Sequence, residues 1–335
     1  MALELDSRYP GRFKPGDADY PQGSFKNRTA PGTLDGSYLE KDWANDKEGF
    51  FQRLLLVAGI SPNGGVDTAL ASQYYDALVQ IINDQASVPS NILTSGIQGS
   101  FSNLKASATG TSATVTVTAD AICLKNASNE QVVINALALA INSATVGANG
   151  LDTGVLAAST WYSVWVIWNG TTTAGLLSLS TTSPTLPPGY THKARVGWIR
   201  TDGTGNKYPL SYVQMGEDVQ YVVAAGTNVA TGRVMASGTA GNVSTPTYVA
   251  VAVGAFVPPT ASLISVNVSA QSSLEALVAP NASYGGKFSQ TNPAFYGSGN
   301  GGGNASNIRM VLESTNIYWA STGAALICTG YRENR

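Results

Sequence analysis

Only one imidazole is present, His192, so any Ser-His-Asp relay would have to run through it. It sits in Pro187-Pro188-Gly189-Tyr190-Thr191-His192-Lys193, a turn-forming run just before a strand, and reads as a solvated turn residue. No Gly-x-Ser-x-Gly elbow leads into a helix. A glycosidase needs two facing carboxylates. Beyond residue 86 the acids are few and scattered, and Glu217 and Asp218, the adjacent pair, would face opposite sides of a strand. Cys123 and Cys328 lie in different β segments, too few for a zinc site or a disulfide scaffold, and read as small buried hydrophobes. No Asp-x-Asp-x-Asp-Gly calcium loop occurs. The run Gly297-Ser298-Gly299-Asn300-Gly301-Gly302-Gly303-Asn304 lacks the strand, helix and Lys of a phosphate loop. The reading is a non-enzymatic protein without metal or cofactor.

What the chain does offer is chemistry suited to carbohydrate. Asn, Ser, Thr and Tyr supply neutral hydrogen bonds, and Trp and Tyr supply flat apolar faces for a sugar ring. In the last third Tyr284, Phe288, Phe295, Tyr296, Tyr318 and Trp319 surround the Gly/Asn run with Asn300 and Asn304. The same aromatics also suit a core or an interface between copies.

The elements that would position them divide sharply by composition. Residues 1–86 hold 8 Lys/Arg and 12 Asp/Glu, half of all the charges. The remainder is poor in charge and rich in Gly, Ser, Thr and Ala. Net charge is −2 and no basic patch stands out, which disfavours nucleic acid. No apolar run reaches the length of a membrane span, and the N-terminus lacks a signal-peptide core, so synthesis in a cytoplasm is expected.

Residues 1–40 are broken by Tyr9-Pro10-Gly11, Lys14-Pro15-Gly16 and Ala30-Pro31-Gly32, with aromatics between the turns. They read as an extended arm without a core of its own, ordered by docking on a partner. Asp42 to Ala58 reads as a helix with Trp43, Phe50, Leu54, Val57 and Ala58 on one stripe and Gly59 as its stop. After Ser61-Pro62-Asn63-Gly64-Gly65, Asp67 caps a second helix with Leu70, Tyr74, Leu78 and Ile81/Ile82 on its stripe. A lone hairpin cannot bury both stripes, so self-association or packing on a partner is expected.

Residues 87–110 read as a neck or linker with room for a short strand. Residues 111–215 read as a β domain, with Ala113–Thr118, Gln131–Asn142, Trp161–Trp168, Lys193–Arg200 and Lys207–Gln214 as strands. Residues 216–335 repeat the style, with strands at Val219–Ala224, Thr247–Phe256, Leu263–Ala270, Ile308–Glu313, Ile317–Ala320 and Ala324–Thr329; between them, within Gly285 to Ser306, the Gly/Asn run 297–304 reads as a long flexible loop. The expected fold is mainly β: an extended arm and helical hairpin, then two antiparallel sandwich-like domains.

Two stretches carry a family resemblance. Residues 20–77, YPQGSFKNRTAPGTLDGSYLEKDWANDKEGFFQRLLLVAGI followed by DTALASQYYDA, resemble the N-terminal module of tail fibres and receptor-binding proteins of tailed bacteriophages and prophages. Residues 151–206, including LDTGVLAASTWYSVWVIWNG and PPGYTHKARVGWIRTDGTGN, resemble a β domain that follows this module. The resemblance implies a homotrimer in the virion, held to the tail or baseplate by its N-terminus and touching the bacterial surface, glycan or pilus, by its distal β domain. On that basis Tyr20, Phe25, Tyr38 and Trp43 are virion-attachment candidates, and Phe50, Leu54, Leu70, Tyr74 and Leu78 are trimer contacts. Tyr284, Phe295, Tyr296, Asn300, Asn304, Tyr318 and Trp319 are receptor contacts. A connector holding another virion protein and a polysaccharide-degrading enzyme are the alternatives.

Overall fold

The computed structural model describes residues 5–18, 21, 24–37, 41–68, 71–87, 96–271, 273–299 and 304–334. The protein is mainly β and divides into two compact units, Met1–Ser90 and Asn91–Arg335.

The first unit holds helices α1 (Leu5–Arg8), α2 (Lys41–Ala58) and α3 (Gln73–Ser87). Gly59 ends α2 as expected. At φ 70° it lets the Gly59 and Ile60 amides donate back to the carbonyls of Leu56 and Leu55, closing a Schellman motif. Ile60 then packs with Leu55, Ala58 and Ala77 in the small hairpin core. Asp67 does cap α3, but from a distance. Its carboxylate accepts the Ser72 hydroxyl at 2.6 Å and the amides of Gln73 and Tyr74, so the helix begins at Gln73. Ser72 is the immediate cap, accepting the Tyr75 amide at 3.1 Å.

The arm departs from expectation, because its described residues fold back on themselves. Lys14 and Ser24 exchange backbone hydrogen bonds, and the Ser37 hydroxyl donates to the Arg12 carbonyl at 2.7 Å. Phe13 is buried between Tyr9 and Phe25, and Phe25 meets Trp43 edge-on at 5.3 Å. The aromatics between the turns find one another, and so part of their contact energy is satisfied locally.

The second unit is built from strands β1 (Phe101–Ser102), β2 (Lys105–Ala108), β3 (Thr114–Lys125), β4 (Gln131–Asn142), β5 (Gly150–Leu151), β6 (Trp161–Trp168), β7 (Thr173–Ser178), β8 (His192–Arg200) and β9 (Tyr212–Met215). These are followed by β10 (Asp218–Tyr221), β11 (Arg233–Ala240), β12 (Val249–Ala252), β13 (Ala261–Ala270), β14 (Glu275–Ala279), β15 (Phe295–Ser298), β16 (Asn304–Val311) and β17 (Asn316–Glu333). The alternating runs form strands where expected: Trp161–Trp168 and Gln131–Asn142 match residue for residue.

Two expectations need correction. Ile317–Ala320 and Ala324–Thr329 are one 18-residue strand, β17. Residues 321–323 separate the two expected strands, yet Ser321 pairs with Ala276 on one side and Ala240 on the other, which keeps the strand running. Both ends of the expected Gly/Asn loop are strand, since Gly297 and Ser298 close β15 and Asn304 opens β16. Within the expected neck, read with room for a short strand, β1 and β2 both pair with β3.

β17 is the organising strand. Along one edge it pairs with β10, β11 and β12 in succession, and along the other with β13 and β14. The expected boundary at 215/216 falls in the tight turn between β9 and β10, which pair with each other while β9 also pairs with β2. One core runs through both halves, from Val115, Val164 and Val196 to Tyr221, Ile264, Trp319 and Leu326. A buried network also joins them. Glu333 accepts Arg195 Nη1 at 2.6 Å, Thr260 Oγ1 at 2.9 Å and Trp198 Nε1 at 3.1 Å.

Candidate functional site

A trough of about 670 Å³ runs across the strands β9-β10-β17-β13-β16. One cross-sheet row reads Val213, Gln220, Gly330, Ser265, Arg309, each opposite the next. Its middle is low because Gly330 has no side chain and Ser265 a short one. Nothing larger than glycine fits at 330, where a Cβ would stand 2.1 Å from the Val219 carbonyl oxygen. A register shift beside Ser265 makes Thr329 an extra residue, and its hydroxyl donates to the Ser265 carbonyl at 3.2 Å.

Asn267 and Asn307 face each other directly across β13 and β16 and supply amide groups to one end. At the rim Arg309 pairs with Asp218 at 2.6 Å, both side chains about half exposed. Val213, Met215 and Val222 give an apolar wall. The lining can therefore form neutral hydrogen bonds along one side and cover apolar C–H surface on the other. Asp218 is engaged by Arg309 and Glu217 by Arg332, so this acidic pair does not face across the trough as a glycosidase pair would.

A second polar and aromatic cluster lies at β14 and β15. Lys287 grips the Glu275 carboxylate at 2.7 and 2.9 Å, and the Tyr296 hydroxyl donates to it at 2.7 Å. Lys287 first, then Tyr296, hold the Glu275 carboxyl below its ordinary range. The Lys287 ammonium also lies over the Phe288 ring at 5.0 Å. Phe288, Phe295 and Tyr296 are exposed. The loop beneath is stapled by Tyr248 on the Gly285 carbonyl and by Lys287 N on the Val243 carbonyl.

The expected receptor contacts thus separate. Phe295 and Tyr296 join this exposed cluster, and Tyr284 and Tyr318 are half-buried. Trp319 is not a surface residue. It packs in the core opposite Val278, because strand alternation turns it inward. Asn300 lies outside the described residues, and Asn304 opens β16 opposite Ala270. Among the attachment candidates Phe25 and Trp43 are in contact, while Tyr20 and Tyr38 lie outside the described residues. Among the hairpin candidates Leu54 and Tyr74 pack inside the hairpin, Phe50 and Leu78 are exposed, and Leu70 lies outside the described residues.

His192 corrects the turn reading. It opens β8 and is buried against Trp168, ring centroids 5.2 Å apart, with Nδ1 at 2.9 Å from the Thr191 hydroxyl. Burial pushes its pKa below the ordinary value. Cys123 and Cys328 are free and buried, as expected. Burial pushes the Cys328 thiol up to about 12. Among the described residues no group of His, Cys, Asp and Glu could hold a metal ion, and no helix is long and apolar enough to cross a membrane.

The trough residues Gln220, Ser265, Asn267, Asn307 and Arg309 were not singled out by sequence. Their signal was present in Leu263-Ile264-Ser265-Val266-Asn267-Val268, where polar residues alternate with buried aliphatics. Comparison with protein-family models, curated proteins and solved structures gives no match.

Proposed function

We propose that the protein is a receptor-binding protein of a tailed-phage virion that holds a bacterial surface glycan in the trough of its second unit. The trough carries the reading: amides and hydroxyls on a rigid sheet, an apolar wall and an ion-paired rim suit a neutral sugar better than a charged or purely apolar ligand. The exposed Phe288, Phe295 and Tyr296 supply a further stacking surface.

The resemblance of residues 20–77 to fibre attachment modules supports placing the virion contact in residues 1–86. Phe50, Val57, Tyr75, Leu78 and Ile82 are all exposed on the hairpin and support association with further copies as a homotrimer. Sedimentation of the intact protein tests this, since a stable monomer near 34.7 kDa would remove the trimer.

The glycan reading is tested with the intact protein on susceptible bacteria, with purified surface polysaccharide as competitor. Replacing Asn267 and Asn307 together with Ala removes two neutral hydrogen-bonding groups and is expected to weaken binding about tenfold or more. Undiminished binding by that variant, or failure of the polysaccharide to compete, would refute it.

A further inference from the structure

A separate cleft of about 590 Å³ opens where the chain after β7, the β12–β13 loop and the β16–β17 turn meet. Among the described residues it shares no lining residue with the trough. Its size lies within the range of small-molecule sites. The walls are apolar: Trp161 from the start of β6, Leu179, Pro258, Pro259 and Leu312. The Trp161 ring is already fixed, because its indole N–H donates to the Gly254 carbonyl at 2.8 Å and its ring meets Tyr331 edge-on at 6.0 Å. A ligand lying on it therefore costs little further side-chain ordering.

One acid is set among these apolar groups. Glu313 is exposed and is the only charged side chain among the described lining residues. No cation pairs with it among the described residues. Its one partner is neutral. The Asn281 amide donates to Glu313 Oε2 at 2.7 Å, and Asn281 is itself held, its Oδ1 accepting the Ser283 amide at 2.9 Å. Asn281 thus aims the carboxylate without neutralising it, and Oε1 is left for a further donor. The turn that carries Glu313 is stiffened by Ser314, whose hydroxyl donates to the Asn316 carbonyl at 3.1 Å and accepts the Asn316 amide at 3.2 Å. An unneutralised carboxylate repels anions, and apolar walls do not replace the water of a small metal ion. Together they favour a cation carried on an apolar body, which an indole ring also attracts.

We propose that this cleft binds an organic ammonium group, with its C–H body against Trp161, Pro258 and Pro259 and its charge on Glu313. The site does not rest on the glycan reading of the trough given above.

The test is isothermal titration calorimetry of the intact protein at fixed low ionic strength with glucosamine hydrochloride and with choline chloride. The expected result is one cation bound per chain, more weakly as sodium chloride is raised. Binding of glucosamine alone assigns the site to amino sugars, and binding of choline alone assigns it to quaternary ammonium groups. N-acetylglucosamine, which lacks the charge, is not expected to compete. Glu313→Gln keeps the shape and loses the charge, and is expected to weaken binding about fivefold while near-UV circular dichroism stays native. Leu179→Lys, at an exposed position, sets a rival cation in the cleft and is expected to weaken binding at least as much. Absence of glucosamine and choline binding by the wild-type chain overturns the proposal. So does full competition by N-acetylglucosamine, or undiminished binding by Glu313→Gln.

Discussion

Replacing Glu333 with Ala is the sharpest perturbation of this fold. Its side chain is fully buried and receives three donors on one oxygen, from Arg195, Thr260 and Trp198. Removing it leaves the Arg195 guanidinium, only 13% exposed, without its counter-charge. Breaking a buried pair from one side costs about 3–5 kcal/mol, far more than loss of an exposed pair. In a unit of this size each kcal/mol lowers the midpoint by roughly 2–4 °C, so Tm is expected to fall by about 6–20 °C. Thermal unfolding followed by tryptophan fluorescence is the assay, and Trp198 is a member of the network itself. The double change Arg195→Met with Glu333→Leu removes both charges and is expected to recover most of the loss. A fall of less than about 2 °C in the single variant would refute the reasoning, because it would mean that water satisfies Arg195 as well as the carboxylate does.

Asp218→Asn, which breaks the half-exposed pair with Arg309, is expected to change stability by no more than about 1 kcal/mol in urea titration. Gly330→Ala forces a Cβ against the Val219 carbonyl oxygen and should cost about 1–3 kcal/mol by the same titration. Glu275 has a lowered folded pKa, so its contribution is fully present above the unfolded value of 4.5 and is lost as pH falls through the folded pKa. The stability difference between wild type and Glu275→Gln should be constant above about pH 6 and shrink steadily below 4.5, as read by denaturant midpoints across pH. Cys123 and Cys328 should both resist a thiol reagent in the native protein and react together on unfolding; fast native reaction of Cys328 would contradict its burial.

Much of this structure was legible where the physics is local. Trp161–Trp168 is aromatic or β-branched at every position but Ser163, the composition that favours a strand. Gly59 could be read as a helix stop because only the left-handed region serves there. What stayed hidden depends on pairing. Whether Tyr318 or Trp319 faces the core follows from which side of β17 is covered, and a period of two cannot choose. Asn267 and Asn307 become one site only through the register of β13 and β16. Phe13 reads as an exposed anchor until the chain closes between Lys14 and Ser24.

The five partners of β17 all precede it in the chain, and so its pairing sets the order of assembly. Neither β10, β11 nor β12 on one edge, nor β13 or β14 on the other, can complete its ladder before residues 316–333 arrive. During synthesis these strands wait with bare edges, which makes them templates for wrong partners. Contacts so distant in sequence also slow folding. The strand that unites the second unit is thus the last to be made of the six that pair through it, and until then a second copy emerging nearby would find the same edges open.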